Sequence, residues 1–221
     1  MNILIVYAHP EPKSFNGAMF EQAIATLTKE GHNVRQSDLY KMQFNPVSDR
    51  SNFTTIKDPD YFKQQQEEVY ATGANGFAAF IEEEQQKIEW CDVMIWQFPL
   101  WWFSVPAIIK GWIDRVFAMG RFYNNGVIYE NGMFRGKKAL LSITAGGPEK
   151  NYIKERYGEL AVILHPLHRG VLEFTGFSVL RPQIIYGTEK LSNQELNGEL
   201  EKWSQRLKNL QHEKPIVAGS Y

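Results

Sequence analysis

The stretch NILIVYAHPEPKSFNG (residues 2–17) decides the fold. Its first seven residues form an unbroken apolar, β-branched run, the composition of a strand covered on both faces in a parallel sheet. The run stops in HPEPKSFNG, which is rich in turn residues. Residues 17–29 then place Met19, Phe20, Ala23, Ile24 and Leu27 at helical spacing, with Asn16 as the expected N-cap. HNVRQSDL (32–39) reads as a second strand, so the first forty residues form a βαβ unit.

The same alternation continues. DVMIWQF (92–98) reads as a buried strand, and Ser104 as the cap and Pro106 as a first-turn residue of a helix striped by Ile108, Ile109, Trp112, Ile113, Val116 and Phe117. KKALLSITA (137–145) is a strand, residues 158–175 are expected to be helical, SVLRPQIIYG (178–187) is the last strand, and 192–211 is a polar-faced helix carrying Trp203 and Leu207. Five strands alternating with helices predict an α/β fold, a doubly wound parallel sheet of order 2-1-3-4-5 with helices on both faces, in one domain over 1–221. Residues 40–75 and 120–136 interrupt the alternation and are expected to be an irregular excursion with a short helix and a long loop.

Composition narrows the function. Hydrophobic residues make up 43% of the chain, charged residues 22%, and the net charge is −1, which gives no electrostatic footprint for nucleic acid. The single cysteine, Cys91, excludes an internal disulfide and is expected to be inert. The start carries no signal-peptide pattern and no apolar run reaches the roughly 20 residues of a membrane helix, so a cytoplasmic protein with no integral membrane segment is expected. His165 and His168 lack the further ligands of a metal site, so no metal is expected, and EEEQQK (82–87) reads as a solvated helix face.

In an open α/β sheet, ligands bind beyond the carboxyl ends of the strands, where the winding reverses. Three segments must meet there. The first supplies His9, Ser14 and Asn16 before a helix, which serves equally as a cap or a phosphate site. The second, PLWWFSVP, presents Leu100, Trp101, Trp102 and Phe103, flat walls suited either to a planar conjugated ligand or to packing. The third supplies Thr144, Gly146 and Gly147, where the main chain can come close to a ligand edge. Neither G-x-G-x-x-G nor G-x-x-x-x-G-K-[ST] follows the first strand, which argues against dinucleotide-Rossmann and P-loop readings.

The motifs LIVYAHPEPKSFNG, QFPLWWFSVPAIIKGWIDRVF, GKKALLSITAGG, FTGFSVLRPQI and WSQRL, in that order over nearly the whole chain, resemble the NAD(P)H:quinone oxidoreductase family, flavodoxin-like flavoproteins typified by DT-diaphorase. The resemblance implies an FAD-dependent, two-electron ping-pong hydride transfer from NADH, NADPH or a smaller dihydronicotinamide to a quinone, in a homodimer with flavin at the interface. FAD rather than FMN rests on the resemblance. On matching positions it implies that His9, Phe15 and Asn16 face the pyrophosphate and adenosine side. It places Pro99, Leu100, Trp101, Trp102 and Phe103 along the ring system, with Thr144, Gly146, Gly147 and Tyr152 at its N1–O2 edge. Glu189 falls near the adenine. Phe103, Tyr123, Asn125, Phe174 and Phe177 fall on the substrate pocket, the last two from the partner subunit. Catalysis would rest on donors from Gly146, Gly147 and Tyr152.

The chain departs from the family at three points. The family His six residues after the Tyr falls on Tyr157 or Gly158, an adenine-side Arg falls on Leu196, and the second Tyr of the substrate loop falls on Asn125. The first departure implies a Tyr-only or solvent-assisted proton route. Two rival functions follow from the same fold: an ancillary regulatory subunit of a potassium-efflux system, and a flavodoxin-type electron carrier.

Overall fold

The structure, a computed structural model, describes residues 1–218. Strands β1 (Asn2–Tyr7), β2 (Asn33–Asp38), β3 (Val93–Pro99), β4 (Lys138–Ala145), β5 (Ser178–Val179) and β6 (Gln183–Tyr186) form one sheet. Its order is β2-β1-β3-β4-β5, with β6 also paired to β4, and all pairs are parallel. The expected 2-1-3-4-5 winding is therefore present, with the fifth position shared by two short strands. The break falls at Leu180–Pro182, where Pro182 has no N–H to offer a ladder.

The described residues form six α-helices: α1 (Phe15–Lys29), α2 (Gln64–Ala74), α3 (Ala79–Trp90), α4 (Ala107–Val116), α5 (Leu160–Leu167) and α6 (Asn193–Lys208). Strand alternation sorts side chains into two cores. Ile3, Ile5 and Tyr7 face α1 and α6 with Met19, Phe20 and Trp203, while Leu4 and Val6 face the other layer with Trp96, Trp112 and Phe117. In that second core, Trp96, Trp112, Phe117, Phe122 and Phe134 pack edge to face in sequence, with centroids 4.8 to 6.1 Å apart. Among the described residues no helix is long and apolar enough to cross a membrane.

Both expected helix caps shift. Ser14, not Asn16, caps α1, its Oγ accepting from Gly17 N at 3.1 Å. The loop closes so tightly over Gly17 that a Cβ there would lie 2.1 Å from Pro12 O. Pro106, not Ser104, precedes α4, because Ser104 is held in a hairpin with Trp101.

EEEQQK is not wholly solvated. In α3, Glu84 is fully buried, accepts from Trp112 Nε1 at 2.8 Å and pairs with Lys87 at 2.7 Å. The aromatic core thus has a paired carboxylate at its margin. The 40–75 excursion holds a short 3-10 turn and α2, and lies on α4: the buried Arg115 donates to Asn52 Oδ1, Asn45 O and Ser51 Oγ at 2.6 to 3.0 Å. Cys91 is buried and its thiol is pushed up to about 12 by that burial, so it is inert as expected.

The segment expected as one helix over 158–175 changes pitch. α5 contains Pro166, which cannot donate to the carbonyl one turn back, and it widens into a π-helix over His168–Glu173. His168 is fully buried there, and its imidazole is pushed down to about 4, by burial and then by His165. The folded state therefore binds fewer protons than the unfolded chain between about pH 6.5 and pH 4. Stability contributed at neutral pH is lost as pH falls through that window, by about 2–3 kcal/mol. Urea unfolding at steps across the window should show this loss, and His168→Gln should remove most of it.

Candidate active site

The carboxyl ends of β1, β3, β4 and β6 share one rim. Register places Tyr7 beside Gln97, Pro99 beside Thr144, and Ala145 beside Tyr186. Four loops leave this rim around an open cleft of about 470 Å³. It is lined by His9, Pro99, Leu100, Trp101, Trp102, Phe103, Thr144, Gly146, Gly147, Tyr152, Tyr157, Thr188 and Glu189. Eleven of these thirteen are residues that the family resemblance assigns to the cofactor, and the cleft brings them together.

Asn16 and Phe15 do not line it. Asn16 is 2% exposed and both ends of its amide are taken: Nδ2 donates to Thr144 Oγ1 at 2.6 Å, and Oδ1 accepts from Gln97 Nε2 at 3.0 Å. It is a strut joining α1, β3 and β4 beneath the cleft. Phe15 packs partly buried against the α1–α6 core. From the first loop only His9 reaches the cleft, its Nδ1 accepting from Glu11 N at 3.0 Å and its ring 5.9 Å from that of Trp101.

The second loop is a two-residue hairpin. Trp101 and Ser104 exchange backbone hydrogen bonds at 3.0 and 3.1 Å, and Leu100 N is anchored to Thr144 O at 2.8 Å. The two residues at the turn, Trp102 and Phe103, have φ of +50° and +57°. Such a turn is normally filled by Asn-Gly or Gly, since a side chain there costs roughly 1–2 kcal/mol per residue. Strain of this kind at a cleft, carried by two aromatic rings, is a mark of function. Trp102 is 95% exposed, so its burial within this chain does not offset that cost.

The third and fourth loops form the polar side. A Cβ at Gly146 would meet open space, whereas one at Gly147 would lie 3.0 Å from Tyr157 Cε2. Tyr152 is held by its N–H to Glu149 O at 2.9 Å, and its ring packs on Tyr157 and Tyr186 at 5.6 and 5.3 Å. Burial, and then Tyr157, raises the Tyr152 hydroxyl above the ordinary tyrosine range, so it stays a neutral donor at physiological pH. Glu189 sits in a 3-10 turn opened by Gly187 at φ +64°, with Gly187 N bonded to Ala145 O at 2.6 Å.

Two features suit this cleft to a flat, electron-rich ligand. Its lining combines indole and phenyl rings with glycine backbone. Among the described residues, the backbone N–H groups of Trp102, Phe103, Gly146 and Gly147 donate to no protein acceptor. Tyr157 and Thr188 are lining residues that the sequence reading did not assign; Thr188 carries no motif signal, and Tyr157 was legible only as a substituted position.

The expected substrate pocket is dispersed in the single chain. Phe103 lines the cleft. Tyr123 and Phe174 pack on each other at 5.4 Å in a separate cavity of about 470 Å³, where Gln65 Nε2 donates to Tyr123 Oη at 3.2 Å. Asn125 is exposed at the tip of the 120–136 loop. Phe177 lies outside this cleft: it precedes β5, is 2% exposed and packs on Phe134 at 4.7 Å.

Trp102→Gly should relieve one left-handed residue and raise folding stability by about 1 kcal/mol, read by thermal or urea unfolding. The same variant should bind a planar aromatic ligand more weakly, since it removes one wall of the cleft.

The chain matches the family model described as Flavodoxin-like fold over residues 1–207. It is 44% identical over 216 residues to the mouse ribosyldihydronicotinamide dehydrogenase [quinone], covering 97% of this chain and 94% of that one. It is 43% identical over 215 residues to the guinea-pig (Cavia porcellus) NAD(P)H dehydrogenase [quinone] 1, covering 96% and 78%. Among solved structures, a putative quinone reductase from Klebsiella pneumoniae superposes with a TM-score of 0.93 at 38% identity, over 98% of this chain and 87% of that one. With this level of identity along almost its entire length, and with the rim and cleft described above, the chain belongs to the flavodoxin-like family of quinone oxidoreductases.

Proposed function

We propose that this protein is an FAD-dependent quinone oxidoreductase that takes hydride from a dihydronicotinamide and passes it to a quinone in two half-reactions through one site. The observation that carries this reading is the cleft itself: aromatic rings and two glycines line one space of about 470 Å³, and among the described residues four backbone N–H groups there have no protein acceptor. The named relatives act on quinones, which supports the same reading.

When bound, a flavin would supply the redox chemistry, accepting and donating hydride. The chain's own residues do the rest. Trp101, Trp102 and Phe103 would hold the ring system flat and exclude water from one face, so that donor and acceptor stack at about 3–3.5 Å and transfer becomes intramolecular in effect. Gly146 and Gly147 N–H, with the neutral Tyr152 hydroxyl, would meet the edge where negative charge develops, as an oxyanion hole does. His9 and the Ser14-capped start of α1 would face the pyrophosphate side, and Glu189 the adenine side. Asn16 would act through Thr144 rather than by contact.

A homodimer would complete the site. Trp102, Phe103, Ile153 and Val162 leave large apolar surface exposed, the first three on or near the cleft loops. The separate Tyr123–Phe174 pair would then serve as a wall for the partner subunit's cleft. A reducing, cytoplasmic setting fits a protein whose one thiol is buried and inert.

Purified protein should be yellow, release FAD on denaturation, and oxidise NADH, NADPH or ribosyldihydronicotinamide only when a quinone is supplied. Colourless protein that takes up neither FAD nor FMN would remove the redox reading. Tyr152→Phe should lower kcat at least about tenfold with a smaller change in KM, as loss of one charge-stabilising donor does. Because the Tyr152 hydroxyl is raised above its ordinary range, the wild-type rate should show no loss from its ionisation below about pH 10.

A further inference from the structure

Tyr157 stands at the mouth of the cleft and touches both of its walls. Its ring lies 5.9 Å from Phe103 at 64° on the hairpin side and 5.6 Å from Tyr152 at 84° on the glycine side. Among the described residues no other ring pair joins these two loops. The main chain fixes the ring from behind, with Tyr157 N donating to Asn151 O at 3.0 Å and Gly158 turning the chain away at φ +86°. From the outside the Arg156 guanidinium lies 5.9 Å from the ring centroid. On the inside the ring leaves so little room over Gly147 that a Cβ there would approach Cε2 at 3.0 Å.

We propose that Tyr157 is the specificity-determining residue of this site, a ring strap that sets the width of the slot and so the size of acceptor that can stack in it. The proposal rests on the quinone-reductase reading and deepens it. Phe103 is a residue in the left-handed region on a two-residue turn, so a ring bridging it to Tyr152 decides how far the hairpin stands from the glycines. Edge-to-face contacts are individually weak, so the strap yields to a ligand that offers stacking area in return. A one-ring quinone passes beneath it. A three-ring quinone must push the ring aside and break both contacts. The ring, not the hydroxyl, performs this role, because both contacts are made by the aromatic system.

Two measurements test it, using Tyr157→Ala, Tyr157→Phe and, should the alanine variant fold poorly, Tyr157→Leu. In the flavin-loaded enzyme, the ratio of kcat/KM for a three-ring quinone to that for a one-ring quinone should rise about tenfold in Tyr157→Ala, mainly through KM, as expected when a steric element of a pocket is removed. Tyr157→Phe should keep the wild-type ratio. In the flavin-free chain, exchange of the hydrogen-bonded amides of Trp101, Ser104, Asn151 and Tyr152 should quicken together for Tyr157→Ala and not for Tyr157→Phe. An unchanged ratio in a flavin-loaded Tyr157→Ala, a shift in Tyr157→Phe as large as that in Tyr157→Ala, or unchanged exchange in both loops would each overturn the proposal. A wild-type chain that takes up no flavin would instead sink the redox reading, and the exchange measurement would still decide whether Tyr157 straps the loops.

Discussion

The candidate site depends on one buried amide. Asn16 sits in the first turns of α1, yet its side chain is bound at both ends to strands that are remote in sequence, through Gln97 on β3 and Thr144 on β4. A primary amide in an apolar interior must satisfy donor and acceptor together, so its partners hold one geometry or lose both bonds. Thr144 in turn carries the carbonyl that anchors Leu100, the root of the aromatic hairpin. Three of the four loops around the cleft are thereby tied to one another through a buried amide at its base.

Above that layer the site combines rigidity with stored strain. The hairpin holds two aromatic residues at backbone angles that favour glycine, and one of them exposes nearly its whole side chain. The opposite wall is glycine and tyrosine, with the tyrosines packed in a row from Tyr157 through Tyr152 to Tyr186. Such an arrangement makes little sense as packing for a solitary chain. It is coherent for a cleft that receives a flat ligand.

Much of this was legible in the sequence because it is carried by local signals. Apolar runs mark β1, β3 and β4, helical stripes mark α1 and α4, and the strand-end rule names the loops that meet. What was not legible depends on tertiary contacts. Asn16 looks like a cap by residue type, but Ser14 is the residue in the extended conformation with an oxygen facing Gly17 N. EEEQQK looks solvated because no local pattern reveals that Trp112 needs an acceptor from Glu84. Phe177 falls on the substrate pocket by motif position, but within the single chain its ring is taken up by packing on Phe134. The single strand read over 178–187 contained its own interruption in Pro182, which a run of apolar residues on both sides conceals.

That interruption has a consequence for how copies of the chain can meet. A parallel sheet ending in one long, straight strand would present a row of unpaired peptide groups along its margin, a template on which another sheet could grow. Here the margin is divided into a two-residue piece and a four-residue piece separated by a proline, so no such row exists at β5 and β6. Sheet-to-sheet polymerisation at that margin is thereby discouraged.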